Sequence, residues 1–212
     1  MSAICPEISG AILAKANSRR LGCRKPFFEM GGRTLIGRVL KIMRCFFDEL
    51  LVVTDEPALF SGIGGILAVR DLTPGCGPLG GIYTGLKGSS NEKVFFAACD
   101  MPFLRAGLIR RILEVARRED IDCVIPRGPK GIEPLHGVYS RSTLGMIEER
   151  LAGKEFSVHR IFPRLSCRYV RAEWGELISF YNVNTAGDLE SLRRLLEKPK
   201  SPSRSKALAF PR

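Results

Sequence analysis

A chain of 212 residues, 45% of them hydrophobic, is long enough to bury a substantial core without disulfide or metal staples. No apolar run approaches the roughly 18 residues that a membrane span needs, so no membrane partner is expected. The formal charge of +11 points to an anionic ligand.

The opening stretch "MSAICPEISGAILA" has no basic region ahead of its apolar residues, so a secretory signal is not expected. Seven cysteines, at 5, 23, 45, 76, 99, 123 and 167, are scattered and form no CxxC pair. That usage predicts reduced thiols and a cytoplasmic protein. "ISGAILA" (8–14) reads as a first buried strand. It runs into "KANSRRLGCRKP" (15–26), whose Lys15, Asn17, Ser18, Arg19, Arg20 and Lys25 supply the donors and positive charge that phosphate oxygens need. A solvated basic loop fits those residues equally well. Neither GxxxxGK[ST] nor GxGxxG occurs anywhere in the chain.

Short apolar runs then alternate with amphipathic segments. Strands are predicted at 49–54 ("ELLVVT"), 65–70 ("GILAVR"), 93–99 ("KVFFAAC") and 122–126 ("DCVIP"). Helices are predicted over 33–46, 79–88 and 105–119; in the last, Leu108, Ile109, Ile112, Leu113 and Ala116 recur at helical spacing. Such alternation implies an α/β fold with a mainly parallel sheet covered on both faces. Ligands in these folds bind beyond the carboxyl ends of the strands, so the loops there are the places to look.

The run "RDLTPGCGPLGGIYTG" holds five glycines and two prolines, which allow backbone to approach a flat ligand closely. The free N–H groups opening its helix suit an anion. Asp71 just before it could hold a metal or a ribose, or serve as a turn residue. "FFAACDMPFL" delivers Asp100 at the end of a central strand, where it could bind Mg²⁺ or cap a helix over 103–118. In the second half, "EPLHGVYS" (133–140) reads as a strand, 141–153 as a helix and 166–171 as a strand. "ISFYNVN" (178–184) reads as a further strand that places Asn182 and Asn184 on one face, with Thr185 capping a last helix. His136 is read as a hydrogen-bonded core residue before a catalytic one, because nothing local pairs it with a nucleophile. One domain is expected over 1–197. Residues 198–212, "KPKSPSRSKALAFPR", carry five basic residues, three prolines and no acid, and are expected to be a disordered tail.

Taken together, the motifs resemble those of the molybdenum cofactor guanylyltransferases, which join GMP to molybdopterin. The family's LAGG-x-S-x-R-M-G-x-D-K-P is matched by Leu13-Ala14, Ser18, Arg20, Gly22, Lys25 and Pro26. Its GPLAG is matched by Gly77-Pro78-Leu79-Gly80-Gly81 and its CDMPF by Cys99 to Phe103. Its EPLHAVY resembles Glu133 to Tyr139, and its NVNTPEDL resembles Asn182 to Leu189. The likeness runs in order from residue 8 to about 196. It implies a Rossmann-like nucleotidyltransferase fold, GTP and molybdopterin as substrates, Mg²⁺ as cofactor, and proteins of molybdenum cofactor synthesis or use as partners.

The resemblance implies Asp100 as the metal ligand, with Lys25, Arg20 and Asp100 catalytic. It implies a nucleotide held by Leu13, Ala14, Lys15, Lys25, Thr54, Asp71, Gly77, Pro78, Leu79 and Asp100. Glu133, His136, Asn182 and Asn184 fall on the molybdopterin side. Two departures stand out: Lys15-Ala16 replaces the family's Gly-Gly, and Arg24 replaces an acid. Added Cβ atoms restrict a glycine loop and crowd a ligand lying on it. An adapted active loop, an altered choice of nucleotide or acceptor, and a chain that binds but turns over poorly all remain open. A cytidylyltransferase or sugar-phosphate nucleotidyltransferase is the alternative within the same chemistry. A basic protein binding nucleotide or nucleic acid without catalysis is the alternative outside it; the missing aromatic stacking surface argues against nucleic acid.

Overall fold

The computed structural model describes residues 4–15, 17–18, 23–183 and 187–188, with backbone alone at 17, 18 and 23. Its main strands are β1 (Ile8–Leu13), β2 (Leu50–Thr54), β3 (Leu67–Arg70), β4 (Lys93–Ala98), β5 (Cys123–Gly128), β6 (His136–Ser140) and β7 (Cys167–Arg171). The helices are α1 (Leu35–Met43), α2 (Gly77–Gly88), α3 (Ala106–Arg118) and α4 (Leu144–Ala152). With the short strand Gly131–Ile132, the strands form one eight-stranded sheet ordered Gly131–Ile132, β5, β6, β4, β1, β2, β3, and β7 pairs with β5 off that path.

The pairs β1–β2, β1–β4, β2–β3 and β5–β7 are parallel. Strand β6 runs antiparallel to both β4 and β5. The reason is chain length. A parallel neighbour needs a crossover of about a dozen residues or more, and the short connection from Gly128 to His136 can only return the chain in the opposite sense. The sheet is therefore mixed and mostly parallel, as the alternating pattern implied.

Both faces are covered because alternate residues of each strand point to opposite sides. Ile8 and Ile12 of β1 and Phe95 of β4 pack with Leu35, Val39 and Met43 of α1 and with Leu108, Ile112 and Ala116 of α3. Ala11, Val94 and Phe96 face the other way, onto Leu79, Ile82 and Leu86 of α2 and Ile147 of α4. Helix α1 starts where the Thr34 hydroxyl accepts the Gly37 N–H at 3.1 Å, an N-cap that satisfies an otherwise orphaned donor. No helix among the described residues is long and apolar enough to cross a membrane.

The strand expected over 178–184 is not formed. Residues Trp174–Phe180 make a 3₁₀ helix opened by a reciprocal capping box between Glu173 and Glu176, and 181–183 follow without regular structure. Every central position in the sheet is already taken, since β1 and β4 each have a neighbour on both sides. Within the segment the Tyr181 N–H turns back to Ile178 O (3.1 Å) and does not join a ladder. Of the expected last helix only Gly187 and Asp188 are described, and both are helical; the cap at Thr185, the rest of that helix and the tail 198–212 lie outside the described residues.

Candidate active site

Strands β1, β2 and β4 end side by side. At that edge the Cys99 N–H donates to Leu13 O (3.0 Å), the Ala14 N–H to Val53 O (2.9 Å) and the Asp71 N–H to Thr54 O (2.8 Å). These bonds fix the first residues of three loops around one cavity of about 390 Å³. The chain leaves β1 through α1 on one side and returns to β4 through α2 on the other, so the cavity sits where the connections diverge, the usual ligand position in an open α/β sheet.

Leu13, Ala14, Lys15, Lys25, Thr54, Asp71, Gly77, Pro78 and Asp100 all line this cavity. Leu79 does not. It is fully buried with Ile82 and Leu86, which share its face of α2 at helical spacing. Arg20 and Asn184 lie outside the described residues. Sequence reasoning passed over Asp55, Gly75 and Leu135, which also line the cavity. Asp55 could have been found as a carboxylate one residue past a strand end.

Lys25 reaches the cavity through a small ribbon. Asn17–Ser18 pairs antiparallel with Cys23–Arg24, and the 3₁₀ turn Lys25–Phe27 follows at once, with Pro26 in its first turn. From there Lys25 Nζ stands 2.8 Å from Asp100 Oδ2. The two side chains are 16% and 27% exposed, so the pair is half withdrawn from water yet open to a ligand. Asp100 does not cap a helix, since α3 begins at Ala106 behind Arg105. Arg24, the residue that replaces the family's acid, lies 3.7 Å from Glu56 in an exposed ion pair of the kind worth about 0–1 kcal/mol.

Asp71 proves to be both a turn residue and a cavity residue. It is 8% exposed. Its Oδ1 accepts the Thr73 N–H (3.0 Å) and lies 3.1 Å from the Thr84 hydroxyl, which in turn accepts the Leu72 N–H (3.0 Å). The glycine-rich turn is thereby stapled to α2. Gly75 (φ +89°) and Gly77 (φ +66°) occupy the left-handed region, where only glycine rests without strain. Gly80 allows a close approach: a Cβ there would lie 2.3 Å from Thr73 Oγ1.

A separate cavity, of about 340 Å³, shares no lining residue with the first. Glu133 and Asn182 line it, together with Lys130, Phe180 and Tyr181. The Val183 N–H donates to Asp100 O at 2.9 Å, so the segment carrying Asn182 runs alongside the acid. Burial pushes the Glu133 carboxyl up, and the Lys130 ammonium pulls it partly back. His136 lines neither cavity. It is 0% exposed, edge-on to the rings of Phe95 (5.5 Å) and Phe180 (5.6 Å). Neither ring nitrogen has a partner among the described residues. Burial holds its pKa down at about 3, so it is a neutral core residue, though not the hydrogen-bonded one expected. Burial likewise pushes the Cys99 thiol up and leaves it inert beside Asp100.

No group of three or more His, Cys, Asp or Glu among the described residues is arranged to hold a metal by itself. Mg²⁺ is commonly held by one or two carboxylates with phosphate oxygens and water completing its shell. A single Asp100 beside a triphosphate-sized cavity fits that donor set; it would not fit a metal needing a full protein cage.

Residues 10–167 match the family model described as the MobA-like NTP transferase domain. The molybdenum cofactor guanylyltransferase of Desulfosudis oleivorans is 36% identical over 189 residues, spanning 86% of this chain and 93% of that protein. The molybdenum cofactor guanylyltransferase of Syntrophotalea carbinolica is 32% identical, over 88% of this chain and 90% of its own. Among solved structures, the molybdopterin-guanine dinucleotide biosynthesis protein A of Archaeoglobus fulgidus superposes with a TM-score of 0.77 at 26% identity, covering 89% of this chain and 98% of that one.

Proposed function

This chain belongs to the MobA-like NTP transferase family, and from that premise we propose that it is a guanylyltransferase. An oxygen of the terminal phosphate of molybdopterin attacks the α-phosphorus of GTP. The bond from that phosphorus to the β-phosphate oxygen breaks, and pyrophosphate leaves. The observation that carries the reading is the Lys25–Asp100 pair at a cavity built from three strand ends.

Phosphoryl transfer of this kind depends on positioning and charge neutralisation more than on a strong base. The backbone at Leu13 to Lys15, with Thr54, frames the nucleoside. Asp71 and the turn at Gly77-Pro78 bring rigid polar groups to its other side. Lys25 gives its ammonium to the triphosphate, and Lys15 adds a second positive charge where the family carries bare glycine. Asp100 is the carboxylate that would hold Mg²⁺. When bound, the ion supplies charge neutralisation on the phosphate oxygens. The acceptor enters from the side of Glu133 and Asn182, a reading supported by the neighbouring Val183, whose N–H donates to Asp100 O.

Calorimetric titration with GTP, CTP, UTP and ATP in Mg²⁺ tests the nucleotide assignment. GTP is expected to bind tightest, and a preference for CTP would replace the guanylyl reading with a cytidylyl one.

A further inference from the structure

Two thiols meet far from the first cavity. Strands β5 and β7 run parallel, and their register sets Cys167 directly opposite Cys123, each the first residue of its strand. Facing residues of paired strands project to the same side of a sheet, and both cysteines pack with the apolar cluster of Phe96, Tyr139 and Phe162. Both thiols are free, and they share a side-chain hydrogen bond.

The backbones are clamped at this point. The Asp122 N–H (3.0 Å) and the Cys123 N–H (3.2 Å) both donate to Ser166 O, and the Ser166 N–H donates back to Asp122 Oδ2 (2.9 Å). Neighbouring strands lie about 4.8 Å apart, within the roughly 4.4–6.8 Å that a disulfide spans between Cα atoms. The two sulfurs differ in access. Cys123 is 1% exposed, whereas Cys167 is half-buried on a strand whose sole partner among the described residues is β5. The hydrogen bond with Cys123 holds the Cys167 thiol down, against the opposing effect of burial. Thiolate character therefore gathers on the sulfur that a small solute can reach.

We propose that Cys123 and Cys167 are an oxidisable dithiol, which a hydroperoxide closes to a disulfide that staples β7 to β5. The Cys167 thiolate attacks an oxygen of hydrogen peroxide, the O–O bond breaks, and the departing hydroxide takes up a proton as water. Cys123 Sγ then attacks the sulfur of the sulfenic acid so formed. The S–S bond forms, the S–O bond breaks, and the Cys123 proton leaves with the hydroxyl as a second water. Two thiols have then given two electrons to one peroxide. The new bond closes the segment that carries β6 and α4. Because β5 and β7 point the same way as β4, it lies at the end of the sheet opposite the first cavity.

Treatment of the full chain with a small excess of hydrogen peroxide, blocking of residual thiols with N-ethylmaleimide and tryptic mapping without reductant test this directly. The expected product joins the peptide Glu119–Arg127 to Leu165–Arg168 and is cleaved by dithiothreitol. The oxidised protein is expected to melt about 5 °C or more above the reduced one, because the bond restricts the unfolded chain. Cys167→Ser, a change at a half-buried position, is expected to remove both the crosslink and the shift. Cys123→Ala leaves the sulfenic acid on Cys167 without its resolving thiol, and dimedone is expected to trap it there. Crosslinks among other cysteines with this pair still reduced, or sulfinic acid at Cys167 in place of the bridge in the wild type, would overturn the proposal. So would an unraised melting temperature, a shift that survives in Cys167→Ser, or no dimedone adduct in folded Cys123→Ala.

Discussion

Lys25 Nζ and Asp100 Oδ2 meet at 2.8 Å across 75 residues of sequence, joining the loop after β1 to the end of β4. The contact brings one ammonium and one carboxylate to a single point of the cavity, the pair to which the proposed transfer reaction is assigned. Lys25→Met and Asp100→Asn are each expected to lower kcat/KM by about 100-fold or more, the usual loss when a group aimed at developing charge is removed. Because the two groups act as a unit, the double variant is expected to lose less than the product of the single losses. Steady-state pyrophosphate release measures all three.

Two glycines of α2 separate nucleotide binding from stability. A Cβ at Gly85 would lie 2.5 Å from the Phe96 ring, inside the core and away from the cavity. Gly85→Ala is expected to cost about 1–3 kcal/mol by overpacking, with KM for GTP unchanged. At Gly80 the added carbon would press on Thr73, which helps hold Asp71 in its turn. Gly80→Ala is therefore expected to raise KM for GTP as well as lower the melting temperature. Thermal melts and KM values on the same samples distinguish the two.

Buried His136 makes the fold acid-sensitive. Its pKa is about 3 in the folded chain against 6.5 for the ordinary imidazole, so below pH 6.5 the unfolded chain takes up a proton that the folded one refuses. Stability is expected to fall between pH 6.5 and about 3, with a slope approaching about 1.4 kcal/mol per pH unit from this group. His136→Leu removes both orphaned nitrogens and is expected to flatten that slope in urea melts taken across the range. An unchanged slope would show that the imidazole is satisfied by a partner.

A second acid-sensitive element sits at the opposite edge of the sheet. The Glu49 carboxylate accepts from the Ser9 hydroxyl, the Ser89 hydroxyl (3.1 Å) and the Ser90 N–H (3.1 Å). Burial pushes its pKa up, but these bonds outweigh it and the net shift is downward. With the folded value depressed, the stabilisation is present above the unfolded pKa near 4.5 and is lost as pH falls through the folded value. Glu49→Ala leaves buried Ser9 without its acceptor and is expected to destabilise by about 1–3 kcal/mol with turnover unaffected.

Lys15 stands exposed where it lines the first cavity. If its ammonium offsets the missing glycines by meeting phosphate, Lys15→Ala raises KM for GTP several-fold with little change in kcat. A fall in KM would instead mark the side chain as an obstruction.

The parallel half of the sheet was readable because β1, β2 and β4 are short apolar runs bounded by helical periods, and the cavity followed from where they end. Asp71 was legible as an acid at a strand end, but not that one oxygen would serve the turn while the residue also lines the cavity. The segment at 178–184 misled, because its apolar and aromatic residues suit a strand, while the 3₁₀ helix opened at Glu173 runs on to Phe180 and the central places of the sheet are filled by other strands. Leu79 was carried into the site with its motif, although its spacing to Ile82 and Leu86 already placed it in the core. The resemblance grouped Glu133 with Asn182, which do line one cavity, but no local pattern joins them to Lys130 and Phe180.

The central claim is GMP transfer at the cavity that Lys25 and Asp100 share. It is tested most directly by supplying molybdopterin and Mg²⁺ with either GTP or CTP and following the dinucleotide product in the wild-type protein and in Asp100→Ala. The account predicts a guanine dinucleotide from GTP, little from CTP, and none above background from the variant. Product from CTP alone, or undiminished product from Asp100→Ala, would contradict it.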